Sequence, residues 1–190
     1  MLKKIKIIFI FSLLIPSINS ETISIMSINA QNLFDTIDDP KKDDKAFLPI
    51  ELKQSLLHKN ECNNITVKRW RMECFFQDWN EETKNAKLNN LAEVIVSYGN
   101  NGADVVGMQE VENINILGQL FELLKPYGYS YFKLLESNDK RGVDTAFISK
   151  YKIKNPMLHY VNFSSNFETI DTRPIFEVDI EVKKNVIKFY

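Results

Sequence analysis

Hydrophobic positions along this chain keep a helical period in two stretches and alternate, or run together, in several others. Leu88, Leu91, Ala92, Ile95 and Tyr98 follow helical spacing, and Gly99 to Gly102 supply a stop. Ile114, Leu117, Leu120, Phe121 and Leu124 share one face of a second predicted helix, which ends before Pro126 and Gly128. Strand-like patterns occupy residues 23–29, 104–108, 129–135, 145–149, 157–162, 175–182 and 186–190. Helices early and strands in succession later predict a mixed α/β (α+β) fold rather than a repeated βαβ winding. From Asp35 to about Asn80 the chain is charged and punctuated by Pro40 and Pro49, with no sustained period. That is too long for an ordinary connection. It is either a functional loop or an elaboration packed by its own aromatics, and Trp70, Phe75, Phe76 and Trp79 favour the second reading.

The first residues have the grammar of an export signal: Lys3, Lys4 and Lys6, the apolar Ile7 to Ile15, then Pro16 and the small Ser20. The apolar run falls short of the ~20 residues a membrane span needs. We read residues 1–20 as a signal peptide and expect a secreted or periplasmic protein. Its alternative is an uncleaved membrane anchor. The ~170 residues that follow suit one domain, and 44% apolar content supports a sizeable core. Removing those three lysines from 24 basic against 25 acidic residues leaves a net charge of about −4. No global basic field advertises nucleic acid, yet a bound cation and a few local Arg and Lys side chains can supply positive potential where it is needed. Cys62 and Cys74 lie close together in one polar segment, and in an exported chain they read as a disulfide that pins it. Zinc is the competing reading, and two thiols without a His pair in the sequence nearby do not complete a tetrahedral site.

Candidate chemistry begins at Asp104-Val105-Val106-Gly107-Met108-Gln109-Glu110, an apolar run of strand length that ends on an amide and a carboxylate. Open α/β sheets place their chemistry at the carboxyl ends of strands, so Glu110 stands where a catalytic group would stand. Three further segments accompany it. They are Ser27-Ile28-Asn29-Ala30-Gln31-Asn32-Leu33-Phe34-Asp35, then Asp139-Lys140-Arg141-Gly142-Val143-Asp144-Thr145-Ala146-Phe147-Ile148, then Thr172-Arg173-Pro174-Ile175-Phe176-Glu177-Val178. In this order the set resembles the endonuclease/exonuclease/phosphatase superfamily, in particular its secreted bacterial nuclease-like members, from about Thr22 to the last residue. The resemblance implies the N-terminal part of a four-layer α/β/β/α sandwich and metal-dependent phosphodiester hydrolysis, with Mg²⁺ or Mn²⁺ as cofactor. Nucleic acid is the implied substrate, and phospholipids or phosphomonoesters are the alternative within the superfamily. The family's later motifs, a Gly-Asp-x-Asn loop and a terminal Ser-Asp-His, have no match in these residues, so the expected catalytic set is incomplete and the polypeptide alone is expected to be inactive. A non-catalytic truncated binding protein is the competing class.

Carried over residue by residue, the resemblance makes Glu110 the metal-binding glutamate and Asn29 the asparagine bordering the same metal and phosphate. Asp144 would orient a catalytic histidine, and Arg173 would face a substrate phosphate. Each has a plain alternative: an Asx turn for Asn29, a strand-start charge for Asp144, a surface salt bridge for Arg173. Leu33 and Phe34 read as packing, Asp35 as a turn residue or a metal contact, and Gln109 as orienting Glu110 or a backbone group. Lys68-Arg69-Trp70-Arg71 interleaves cations with an aromatic, as a nucleic-acid grip would, and equally fits a solvated loop with a packed Trp. His58 and His159 fall in no catalytic motif.

Overall fold

A computed structural model of the chain describes residues 22–99, 101–161 and 173–190. The expected signal peptide, and the end of the strand expected at 157–162, lie outside these residues. Among the described residues, seven strands and four α-helices follow in the order β1 (Ile25–Leu33), α1 (Leu56–Asn63), α2 (Lys68–Phe76), α3 (Glu81–Ser97), β2 (Val105–Val111) and α4 (Ile114–Leu124). They continue with β3 (Tyr131–Leu134), β4 (Asp144–Ser149), β5 (Lys152–His159), β6 (Ile175–Val182) and β7 (Asn185–Phe189). The fold is mixed α/β with two sheets. The first runs β1-β2-β4-β3, with β1 and β2 parallel and the other pairs antiparallel; the second runs β5-β6-β7, all antiparallel.

Alternation along the strands decides which face meets which layer. Ala30, Val106, Met108, Ala146 and Ile148 point to one side of the first sheet and pack with Leu88, Ala92 and Ile95 of α3 and with Ile116, Leu117, Leu120, Phe121 and Leu124 of α4. Val105 and Phe147 point to the other side and pack against Phe176, Val178, Ile180 and Val182 of the second sheet. The described residues thus form three layers, helices on sheet on sheet. α4 needs little else to define it, because Asn113 caps it by accepting from the backbone N–H groups of Asn115 and Ile116, and of its apolar stripe Leu117, Leu120, Phe121 and Leu124 are buried with Ile116 while Ile114, at the first turn, stays exposed. Ile148 is at the centre of this packing with no exposed surface, and Ile148→Ala should cost ~2–5 kcal/mol, read as a shift in the urea midpoint at unchanged slope.

The segment from Asp35 to Asn80, expected to be either a functional loop or an elaboration packed by its own aromatics, contains regular elements. It holds two short helices, α1 and α2, with single turns of 3₁₀ helix at Lys45–Phe47 and Ile50–Gln54. Each α-helix buries only one or two side chains, so neither leaves a periodic trace in the sequence. What holds them is local: Ser55 caps α1, a Cys62–Cys74 disulfide joins the helices at a Cα–Cα distance of 5.6 Å, and buried Lys53 donates to the carbonyls of Ala46 and Glu73. Burial holds the Lys53 amine low, at about 8. Of the aromatics expected to pack this segment, Trp79 does so, against Phe34 and Phe47, and donates its indole N–H to the Phe34 carbonyl. Trp70 and Phe76 do not, being 60% and 66% exposed.

Candidate functional site

The parallel strands β1 and β2 end side by side, and both break their regular ladder at that point. Asn29 is the cross-strand partner of Gln109, the pairing then slips, and it resumes with Leu33 opposite Val111. Val111 in turn faces Asp144 of β4 across a second irregularity after Gln109. Within these bulges Gln31, Asn32 and Glu110 take φ values of 52°, 63° and 63°. Non-glycine residues in the left-handed region cost of order 1–3 kcal/mol each and persist where surrounding packing over-determines them. Leu33 and Val111, both without exposed surface, are those anchors. The bulge at Glu110 breaks the strict alternation of β2 just where the strand leaves the core, and Glu110 is left half-buried there.

Asn29 is exposed, and its Oδ1 accepts the backbone N–H of Gln31 at 2.7 Å, so the Asx turn that was its plain alternative is present. Gln109 does not turn toward Glu110; its Nε2 donates to Ser27 Oγ at 3.3 Å across the parallel pair. A third group, invisible in sequence, joins them. Lys87 of α3 donates to the Gln31 carbonyl at 2.7 Å, clamping the β1 bulge, and its ammonium senses the Glu110 charge. Burial holds the Lys87 amine below its ordinary value and Glu110 partly offsets that. Asn29, Gln31 and Lys87, with Asn90 of α3, line an open depression of about 240 Å³ beside the strand ends.

Just past the ends of β1 and β2 the sequence hides a group of buried carboxylates. Glu112 is 6% exposed and accepts the backbone N–H of Asp35 at 2.6 Å; burial first, then the charges of Asp35, Asp44 and Glu136, push its carboxyl up to about 8. Asp35, read from sequence as a turn residue or a metal contact, accepts from the Ile37 N–H and from the side chain of Asn113, so it ties the β1 exit to the α4 cap. Asp144 is buried and accepts the Ser137 N–H at 3.0 Å through Oδ1, while its buried Oδ2 has no geometric hydrogen bond. Burial raises the carboxyls of Asp144 and Glu136 alike, and the Asp144 charge beside Glu136 raises it further. Lys42 crosses from the facing loop to cap the carbonyls of Ser137 and Asp139.

The remaining sequence-predicted residues sit elsewhere. Arg173 is half-buried just ahead of β6, in the second sheet. His159, on β5, meets the Glu177 carboxylate at 2.6 Å, and Lys188 reaches the same carboxylate. His58 is buried on α1 and donates to the Cys74 carbonyl at 3.0 Å. In the Lys68–Arg71 stretch, Arg69 pairs with Glu73 at 2.9 Å and Arg71 donates to the Ile65 carbonyl, leaving Trp70 exposed between them.

The model of the Endonuclease/Exonuclease/phosphatase family matches residues 72–190, more than half of the chain. The chain belongs to this family of nuclease- and phosphatase-type hydrolases, whose members generally depend on a divalent metal. A solved structure, an endonuclease/exonuclease/phosphatase family protein from Leptotrichia buccalis C-1013-b, is similar at 20% identity and a TM-score of 0.48. That similarity covers 89% of this chain and 52% of that protein, so the chain spans about half its length. No curated protein matches the sequence.

Proposed function

We propose that this chain carries the metal end of an exported, divalent-cation-dependent phosphodiesterase of nuclease type. The observation that supports it most is the convergence of Glu110, Asn29 and Lys87 on the adjoining carboxyl ends of two parallel strands, with left-handed backbone at Glu110, Gln31 and Asn32. The donor set suits a hard cation: magnesium asks for one or two carboxylate oxygens and keeps several waters, and Glu110 is a half-buried carboxylate held by a constrained backbone. When bound there, Mg²⁺ or Mn²⁺ would supply Lewis-acid polarisation of a phosphoryl oxygen. Asn29 uses its carbonyl within the turn and offers its NH₂ group to a phosphate oxygen. Lys87 sets positive charge beside Glu110, and Arg173, ahead of β6 on the second sheet, is the residue that the family resemblance would turn toward a second phosphate oxygen. Asp144 lies across from Val111 on β4, and in this reading its buried carboxylate would orient the family's catalytic histidine, which is neither His58 nor His159. Nucleic acid is the proposed substrate.

Calorimetric titration of the chain with Mn²⁺ or Mg²⁺ tests the core of this reading. One weak site is expected, and Glu110→Ala should remove it. Lys87→Met should do the opposite and tighten the site roughly threefold to tenfold, because it deletes a cation beside the ligand. Binding by Glu110→Ala equal to that of the unaltered chain would reduce Glu110 to an ordinary strand-end carboxylate.

A further inference from the structure

A second set of metal-competent side chains lies away from the strand ends, on the helical hairpin. His58 and Cys62 are one turn apart on α1, Cys74 faces them from α2, and the ligating atoms of all three lie within 4.8 Å of one another. All three residues are buried. A disulfide needs only its two sulfurs, and an imidazole buried beside it is a polar group taken from water with no role in the bridge. His58 Nε2 donates to the Cys74 carbonyl at 3.0 Å and lies 3.9 Å from Cys74 Sγ.

We propose that, with the disulfide reduced, His58, Cys62 and Cys74 form a three-ligand site for a thiophilic divalent ion, zinc above all. Thiolate and imidazole select zinc over the hard cations that carboxylates prefer. With zinc–sulfur bonds of ~2.3 Å, two tetrahedral sulfurs sit about 3.8 Å apart and a sulfur and an imidazole nitrogen somewhat closer. The present His58–Cys74 separation of 3.9 Å is already near that value, and a Cα–Cα distance of 5.6 Å lets the sulfurs part by side-chain rotation while the helices keep their places. Water fills the fourth position. The steps balance: a dithiol reductant gives two electrons and two protons, the S–S bond breaks to two thiols, and the reductant leaves as its own disulfide. Zinc then displaces the two thiol protons, and the His58 proton moves from Nε2 to Nδ1 so that Nε2 can bind the metal. The same three side chains therefore pin α1 to α2 in either redox state, by a covalent bond under oxidising conditions and by metal under reducing ones.

Cobalt(II) reports on such a site through its visible bands. The full chain, reduced with dithiothreitol and freed of it anaerobically, should take up one equivalent of Co²⁺, with the bands of a tetrahedral ion and a sulfur-to-cobalt charge-transfer band, all erased by Zn²⁺. The oxidised chain should show neither. His58→Gln keeps both thiols, and its loss of Co²⁺ affinity should exceed the roughly tenfold to hundredfold typical of changes outside the ligand shell. Zinc should also raise the thermal midpoint of the reduced, unaltered chain, a readout that needs no variant to fold. Absence of thiolate-to-cobalt bands in the reduced chain, or unchanged affinity in His58→Gln, would overturn the proposal. Because Glu110 takes no part, Glu110→Ala should leave the cobalt spectrum as it is.

Discussion

Glu112→Gln should make the folded chain more stable at pH 8 and leave it nearly unchanged at pH 5. In the fold the Glu112 carboxyl is raised from its ordinary 4.5 to about 8, chiefly by burial, with the charges of Asp35, Asp44 and Glu136 adding to it. A raised acid holds its proton in the folded state after the unfolded chain has released it. Its contribution to stability is therefore complete below pH 4.5 and is lost as pH climbs through about 8. A shift of this size corresponds to an upper bound of about 5 kcal/mol, and sharing of protons among neighbouring carboxyls should bring the measured gain to ~2–4 kcal/mol. Asp44, Glu136 and Asp144 are raised by burial too, so the whole group titrates with the same sign. Glutamine is the informative replacement because its carbonyl can still accept the Asp35 N–H that Glu112 accepts at 2.6 Å. Urea unfolding of both proteins at pH 5 and pH 8 provides the comparison. An equal difference at the two pH values would mean that Glu112 is ionised in the fold and that its burial is compensated by a group other than the Asp35 amide.

How much of this was legible in the sequence depends on whether the cause is local. The helix at Ile114–Leu124 and the strand at Ile175–Val182 lie where the pattern puts them, because each buries one continuous stripe or face. The Glu110 strand was legible for a similar reason: an apolar run that ends on charge marks a strand leaving the core. The helices α1 and α2 were not, since they rest on a disulfide and a buried lysine and bury almost no apolar periodicity. Trp70 and Phe76 misled, because an aromatic in a polar segment reads as packing whether or not the fold covers it. At the site, Lys87 reaches Gln31 across 56 residues of sequence, and Glu112 meets Asp35 across 77. Neither pairing leaves a local signature. The motif singles out Asp144 as a candidate, and the fold seats its carboxylate with Ser137 and Glu136, a placement only tertiary structure supplies.

A polypeptide of residues 21–190 with Mg²⁺ should cleave neither DNA, RNA nor phospholipid above a protein-free blank. Phosphodiester hydrolysis needs a base for the attacking water and donors for the charge that develops, in addition to a cation. Removing the acid–base group alone typically costs 10²–10⁴-fold, and removing a charge-stabilising donor about 10²–10³-fold. The sequence holds two histidines, and both are engaged away from Glu110. His58 is buried against the Cys74 carbonyl, and His159 is bound to Glu177 on the second sheet. The Gly-Asp-x-Asn and Ser-Asp-His motifs that the family resemblance leads one to expect are not among these residues. What these residues hold is the proposed metal end of a site: Glu110 with its left-handed backbone, Asn29 and Lys87 beside it, and the buried Asp144 next to Glu136. A longer polypeptide that carries those motifs should hydrolyse a phosphodiester and lose that turnover on Glu110→Ala, while the two forms bind Mn²⁺ at Glu110 with comparable affinity. Robust, Glu110-dependent turnover by residues 21–190 would refute this division of labour. His159→Gln would then be the next variant to measure, because release of His159 from Glu177 would be the simplest source of a base within these residues.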